Sequence, residues 1–159
     1  MTTNRPYTGT KDGAAKGRRP GTEWLARALN ARWGFSRLGT WVVRDMRGKP
    51  GQLSVHATAR ALDAGYMNTV AARNKAVEVA EWLAKNADAL GIEEIHDYAY
   101  GKYGRGWRCS RNKWKIYTAK DNAGSIGGKW LHVELSPAMA DNAQALNAVW
   151  DATPKPDKG

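Results

Sequence analysis

The sequence has one cysteine, Cys109, one phenylalanine, and no long apolar run. A single thiol excludes an intrachain disulfide and a thiolate zinc cluster. No stretch approaches the roughly 20 apolar residues that cross a bilayer, so a membrane-spanning protein is excluded. The opening MTTNRPYTGTKDGAAKGRRPG carries no apolar core, so no secretory signal peptide is expected. Acidic residues are scarce, 15 against 25 Lys plus Arg, which leaves a formal charge of +10. A surplus of that size points to a polyanionic partner such as nucleic acid, an anionic surface or a cell-wall polymer. The aromatic set is skewed: eight Trp and six Tyr stand beside the lone Phe. Side chains with a polar tip suit a wet groove better than a dry core.

What is present fits one domain. The chain has 159 residues, and its 42% hydrophobic and 25% charged content is that of an ordinary globular protein. Residues 1–20 lack hydrophobic period and read as a flexible basic tail; residues 152–159 read as a second short tail. Residues 21–151 form the expected domain. Its pattern predicts a helix capped by Thr22 and stopped by Gly34, a strand at GTWVVRDM, a loop at RGKPGQ, and a strand or loop at SVHATARALDAGY. A long helix is predicted from Thr69 to Leu90, then strands at IEEIHDYAY, WKIYTA and WLHVELS, and a last helix from near Pro137. In WLHVELS the alternation puts Trp130, His132 and Glu134 on one face. The order of elements predicts an α+β fold, an antiparallel sheet flanked by helices.

The three histidines are His56, His96 and His132. His56 lies in Ser54-Val-His56-Ala-Thr-Ala-Arg60-Ala-Leu-Asp63, and His132 lies on the last strand. Two imidazoles and a carboxylate suit a catalytic zinc, which needs three protein ligands and one open position. His56, Asp63 and His132 would supply that set, and a metal in it would make a bound water acidic near neutral pH.

This arrangement resembles the D-Ala-D-Ala metallopeptidase, lysostaphin and hedgehog group, whose signature is Ser-x-His-x-x-x-x-Ala-x-Asp followed by a distant strand His. SVHATARALD is similar to the SxHATGRALD segment of peptidases that cut peptidoglycan stem peptides, including many phage endolysins. The likeness runs over about residues 40–135 and takes in KNADALGI, GRGWR and WLHVEL. It implies a hedgehog/D-Ala-D-Ala-peptidase-like fold, a Zn2+ cofactor, and a monomeric endolysin-like peptidase. Such an enzyme is made in the cytoplasm and acts on the wall after release.

Three positions depart from the family pattern. Ala59 stands where the family has glycine. Lys129 stands where the family has the Asp or Glu that serves as general base, and Trp130 replaces a histidine two residues before the last ligand. A protonated lysine cannot accept a proton. Glu134, which shares a strand face with His132, is the first substitute, either as base or as a partner of the ligand His; Asp97 and Asp121 follow. Ser54, Arg60, Trp107 and Trp130 are the candidates for substrate binding, Arg60 with a role in shaping the motif as its alternative. His96 reads as a metal ligand or a hydrogen-bonded strand residue, and Cys109 as an idle thiol or a nucleophile. The basic aromatic stretch Lys102–Lys115 could grip glycan and stem peptide, or single-stranded nucleic acid. Two other functions therefore stay open: a non-catalytic wall-binding or virion module that keeps the metal site, and a basic nucleic-acid-binding protein.

Overall fold

The computed structural model describes residues 2–121 and 127–159; Met1 of the N-terminal segment and part of the 101–130 stretch lie outside the described residues. Helix α1 (Pro20–Trp33) starts three residues before the sequence expectation because Pro20 occupies its first turn, where a missing N–H costs nothing. Thr22 is therefore buried inside the helix and does not cap it. Gly34, at φ 78°, ends the helix in the left-handed conformation. Strands β1 (Ser36–Gly39), β2 (Asp45–Met46), β3 (Lys49–Leu53) and β4 (Ala61–Gly65) follow, with a single 3-10 turn at Val55–Thr58 before β4. Helices α2 (Val70–Lys85) and α3 (Ala87–Leu90) lead to β5 (Ile92–Asp97), β6 (Arg105–Arg108), β7 (Lys113–Ile116) and β8 (Trp130–Leu135). Helices α4 (Pro137–Ala140) and α5 (Ala143–Ala152) close the chain.

The result is a single α+β domain whose six-stranded sheet is antiparallel throughout, in the order β1-β4-β8-β5-β6-β7. Alternation along the strands divides the sheet into two faces. Leu62, Ile95, Trp107, Leu131 and Val133 join Leu25, Leu29, Val79 and Leu83 of the helices in one core. The other face carries Asp63, His132 and His96 in adjacent register across β4, β8 and β5, with Glu134 and Glu94 paired beside them. No helix among the described residues is long and apolar enough to cross a membrane.

Several expectations meet a different structure. GTWVVRDM is not one strand: β1 stops at Gly39, and Val42 and Val43 stay exposed. Over residues 40–44 the backbone bonds among the described residues are irregular ones, from Val42 N–H to the His56 carbonyl and from Ser54 N–H to the Arg44 carbonyl, so β-propensity there has no ladder to join. RGKPGQ contributes instead to a small hairpin of β2 and β3, turned at Gly48, which holds φ 73°. The long helix breaks at Asn86, whose side chain bonds back to the Trp82 carbonyl at 2.8 Å.

The segments read as flexible tails are packed on the domain. Arg5 pairs with Asp88 at 2.9 Å, Thr8 bonds the buried Glu93, and Asp12 pairs with Arg60 at 2.9 Å. At the other end, Trp82 donates to the Pro154 carbonyl at 2.7 Å, and Trp33 donates to that of Asp157. Both segments lack regular elements, and side-chain hydrogen bonds hold them in place.

Candidate metal centre

Ser54 begins the site. Its hydroxyl accepts the His56 N–H at 3.3 Å and caps the 3-10 turn that presents His56. Thr58 donates to the Val55 carbonyl at 2.6 Å and accepts the Arg60 N–H, closing the turn. Ala59 then takes the left-handed conformation at φ 59°, ψ 20°, so the backbone reproduces the turn that glycine would make, with its methyl group fully buried. Arg60 follows and is completely buried. Its guanidinium bonds Asp12, the Gly9 carbonyl, and the Leu135 carbonyl at 2.6 Å. The candidate substrate-binding role is corrected here: these bonds occupy the side chain, which welds the N-terminal segment to β4 and β8.

Beyond Arg60, β4 carries Asp63 opposite His132. The carboxylate lies between two imidazoles: Oδ2 is 3.2 Å from His56 Nε2, and Oδ1 is 3.1 Å from His132 Nδ1. The two rings are 5.0 Å apart, edge to face. One ligand atom from each of His56, Asp63 and His132 lies within 4.8 Å of the other two, a grouping that could hold a metal ion. The three expected ligands are thus brought together.

The donor set passes a test of fit. Two ligands each about 2.0–2.1 Å from a tetrahedral ion stand roughly 3.4 Å apart, close to the spacings here. Electrostatics agrees. Burial works to depress the His132 pKa, yet its hydrogen bonds to Asp63 and Glu134 outweigh that and push it up to about 10. Burial works to raise Asp63, and the bonds from His132 and His56 hold it well below the usual carboxylate range. The pocket favours a positive charge between these groups.

His132 uses its second nitrogen elsewhere. Nε2 lies 2.7 Å from Glu134 Oε2, across the ring from Asp63. The other Glu134 oxygen accepts a 2.6 Å hydrogen bond from the Tyr7 hydroxyl. Both oxygens of the expected base are therefore engaged, on the edge of the imidazole away from the metal-facing nitrogen. This placement favours Glu134 as the partner that orients the His132 ring. Lys129 is exposed and gives its carbonyl to the Tyr66 N–H. Asp97 is buried against Arg105 at 2.9 Å, and Asp121 pairs with Lys115.

Other expectations are placed as follows. Trp130 is half-buried, packs edge-on against Tyr98 at 5.2 Å, and lines the cleft together with Arg44 and Arg47. Trp107 faces the opposite side of the sheet and is part of the core, so the substrate-binding candidacy is corrected to packing. Arg105, in the basic aromatic stretch, is sandwiched between Tyr100 and Trp114 at 4.1 and 3.9 Å. Cys109 is buried, and burial raises its thiol pKa, which removes the basis for a nucleophile.

Sequence reasoning passed over Tyr7, Glu94 and Tyr117, and read Arg108 only as part of the basic aromatic stretch. Glu94 accepts Arg108 Nε at 2.5 Å and lies 3.2 Å from His96 Nε2. Despite burial, those two partners hold it below the usual carboxylate range. His96 Nδ1 meets the Tyr117 hydroxyl at 2.6 Å. A second grouping, His96, His132 and Glu134, also meets the spacing for a metal. The glycine of GRGWR was the usable signal, because glycine inside a strand marks a close approach. Tyr7 had none, since its partner Glu134 is distant in sequence. Compared with protein-family models, curated proteins and solved structures, the chain matches none.

Proposed function

We propose that this protein is a zinc-dependent peptidase that cleaves peptidoglycan stem peptides. In this reading its fold is of the D-Ala-D-Ala metallopeptidase, lysostaphin and hedgehog kind, and it acts on the cell wall as phage endolysins do. The observation that carries the reading is the convergence of His56, Asp63 and His132 at a cleft flanked by Arg44 and Arg47. Zinc held by those three side chains would supply Lewis-acid polarisation of a scissile carbonyl and a hydroxide source near neutral pH. The residues of the chain do the rest. Ser54 and Ala59 set the turn that aims His56, and Glu134 holds the His132 ring. Arg44 and Arg47 offer positive charge to the carboxylates of a stem peptide, and Trp130 with Tyr98 forms an aromatic wall beside them.

A second reading is favoured by one specific observation. Asp63 is the only carboxylate among the described residues lining that arginine-flanked cleft, and it belongs to the metal set. Lys129 stands exposed where the family places its base. A module that binds the wall without cutting it fits that lining. Incubation of purified protein with peptidoglycan sacculi separates the two. New amino termini that vanish with a chelator and return with zinc support the peptidase. Sedimentation with sacculi and no new amino termini supports the binding module. Neither cleavage nor binding rejects both.

A further inference from the structure

We infer that Tyr7 is a positioning residue of the metal centre, carried into it by the N-terminal segment and acting on His132 through Glu134. The inference rests on the metal reading above. Tyr7 and Glu134 are 127 positions apart, and their 2.6 Å bond needs the N-terminal segment to be docked. The docking is firm on both sides of Tyr7. Arg5 grips Asp88 at 2.9 Å and the Ile92 carbonyl, Thr8 bonds Glu93 at 2.9 Å through N–H and hydroxyl, and Asp12 locks onto the buried Arg60. The ring itself is covered by the Arg108 guanidinium, 4.1 Å from its centroid.

The hydroxyl sits where two buried carboxylates need it. Glu94 and Glu134 are direct neighbours across β5 and β8, a pairing that like charge disfavours. Tyr7 donates to Glu134 and lies 3.4 Å from Glu94, while Arg108 takes the far oxygen of Glu94. Glu134 is thereby held with its other oxygen on His132 Nε2. A His132 ring that gives its Nε2–H to Glu134 presents Nδ1, the nitrogen beside Asp63, to a metal. Without the hydroxyl, Glu134 is free to turn toward another donor, and the ring loses its fixed partner.

The test measures zinc affinity directly, by competition with a chromophoric chelator at fixed pH, on the full chain and its variants. Glu134→Gln is expected to weaken zinc binding about 10- to 100-fold, the usual effect of losing the partner of a ligand His. Tyr7→Phe keeps the ring and its packing and is expected to weaken it about 3- to 10-fold, the size of one hydrogen bond. The double variant should bind no more weakly than Glu134→Gln alone, because Tyr7 works through Glu134. The cobalt-substituted protein should show an altered visible spectrum in both single variants. Wild-type affinity in Tyr7→Phe overturns the inference and leaves the metal reading standing. Two ions per chain, one lost in Glu134→Gln, also overturns it, since Glu134 would then be a ligand. An unmutated protein that binds no zinc overturns the metal reading itself.

Discussion

Gly106 stands where the phenol of Tyr117 has to lie: a Cβ on Gly106 would meet the Tyr117 oxygen at 1.8 Å. That oxygen is the hydrogen-bond partner of His96 at 2.6 Å. Gly106→Ala should push Tyr117 out and strip His96 of its partner. A loss of about 1–3 kcal/mol is expected, the cost of overpacking a filled site. Urea unfolding reads the loss, and the His96 ring resonances should shift in the same variant. Unchanged resonances and stability would show that Tyr117 has another place to go.

Metal content gives the most direct check on the centre. The purified protein should carry about one zinc per chain, and His56→Ala or Asp63→Ala should lose it. Added zinc should stabilise the unmutated protein by about 2.7 kcal/mol at a hundredfold excess over Kd, and should leave both variants unmoved. Elemental analysis and thermal melts provide the two readings. Absence of stoichiometric metal after reconstitution would defeat the assignment.

Arg60 separates a structural role from a substrate-binding one. Its side chain has no exposure; it bonds Asp12 and the carbonyls of Gly9 and Leu135, and it lies 3.9 Å from the buried Glu93 carboxylate. Arg60→Met should cost about 1–3 kcal/mol, because the buried Leu135 carbonyl loses its donor while Asp12, which is partly exposed, loses its partner. Residues 2–19 should become the first site of proteolysis. A variant of normal stability with weakened binding to peptidoglycan would return Arg60 to the substrate.

Acid should loosen the N-terminal segment before the domain. Burial works to raise Asp12, but its bonds to Arg60 and Arg19 bring it below the ordinary carboxylate value. Burial works to raise Asp88 as well, and hydrogen bonds from Thr3 together with Arg5 bring it below the ordinary value. Carboxylates with a depressed folded pKa contribute stability that is present above their unfolded value of about 3.9 and is lost as pH falls through the folded value. Hydrogen-exchange protection of residues 2–19, taken relative to the intrinsic rate at each pH, should therefore fall as pH drops below about 3.9, ahead of protection in β4 and β8. Simultaneous release of segment and sheet would refute this.

Local signals and long-range ones were unequally legible. Gly34 and Gly91 at helix ends, Thr69 as a cap, and the alternation of WLHVELS carry their meaning within a few residues. The grouping that could hold a metal was readable because His56 and Asp63 share one motif, with His132 on a clearly alternating strand. Residues 40–44 misled because branched side chains were counted as a strand when the sheet had no free partner for them. The N-terminal segment misled for the opposite reason. It has no period of its own, and its order comes from Glu93, Arg60 and Glu134, which a local reading cannot connect to it. Glu134 shows the finer limit: alternation puts it on the same face as His132, but only the pairing of β8 with β4 and β5 tells which edge of the imidazole it meets.

The place of β8 in the sheet governs when this protein can become itself. β4 and β5 are not paired with each other; β8 lies between them and, among the described residues, supplies the ladder that joins the two halves of the sheet. A growing chain has made His56, Asp63, Glu94 and His96 long before Trp130–Leu135 emerges. Until then it holds two open sheet edges and an unfinished centre. Assembly is thus a late, cooperative event dominated by contacts between distant residues, the regime of slow folding and of exposed edges that aggregate. A nascent chain halted before Trp130 would carry His56 and Asp63 with no His132 to close the grouping.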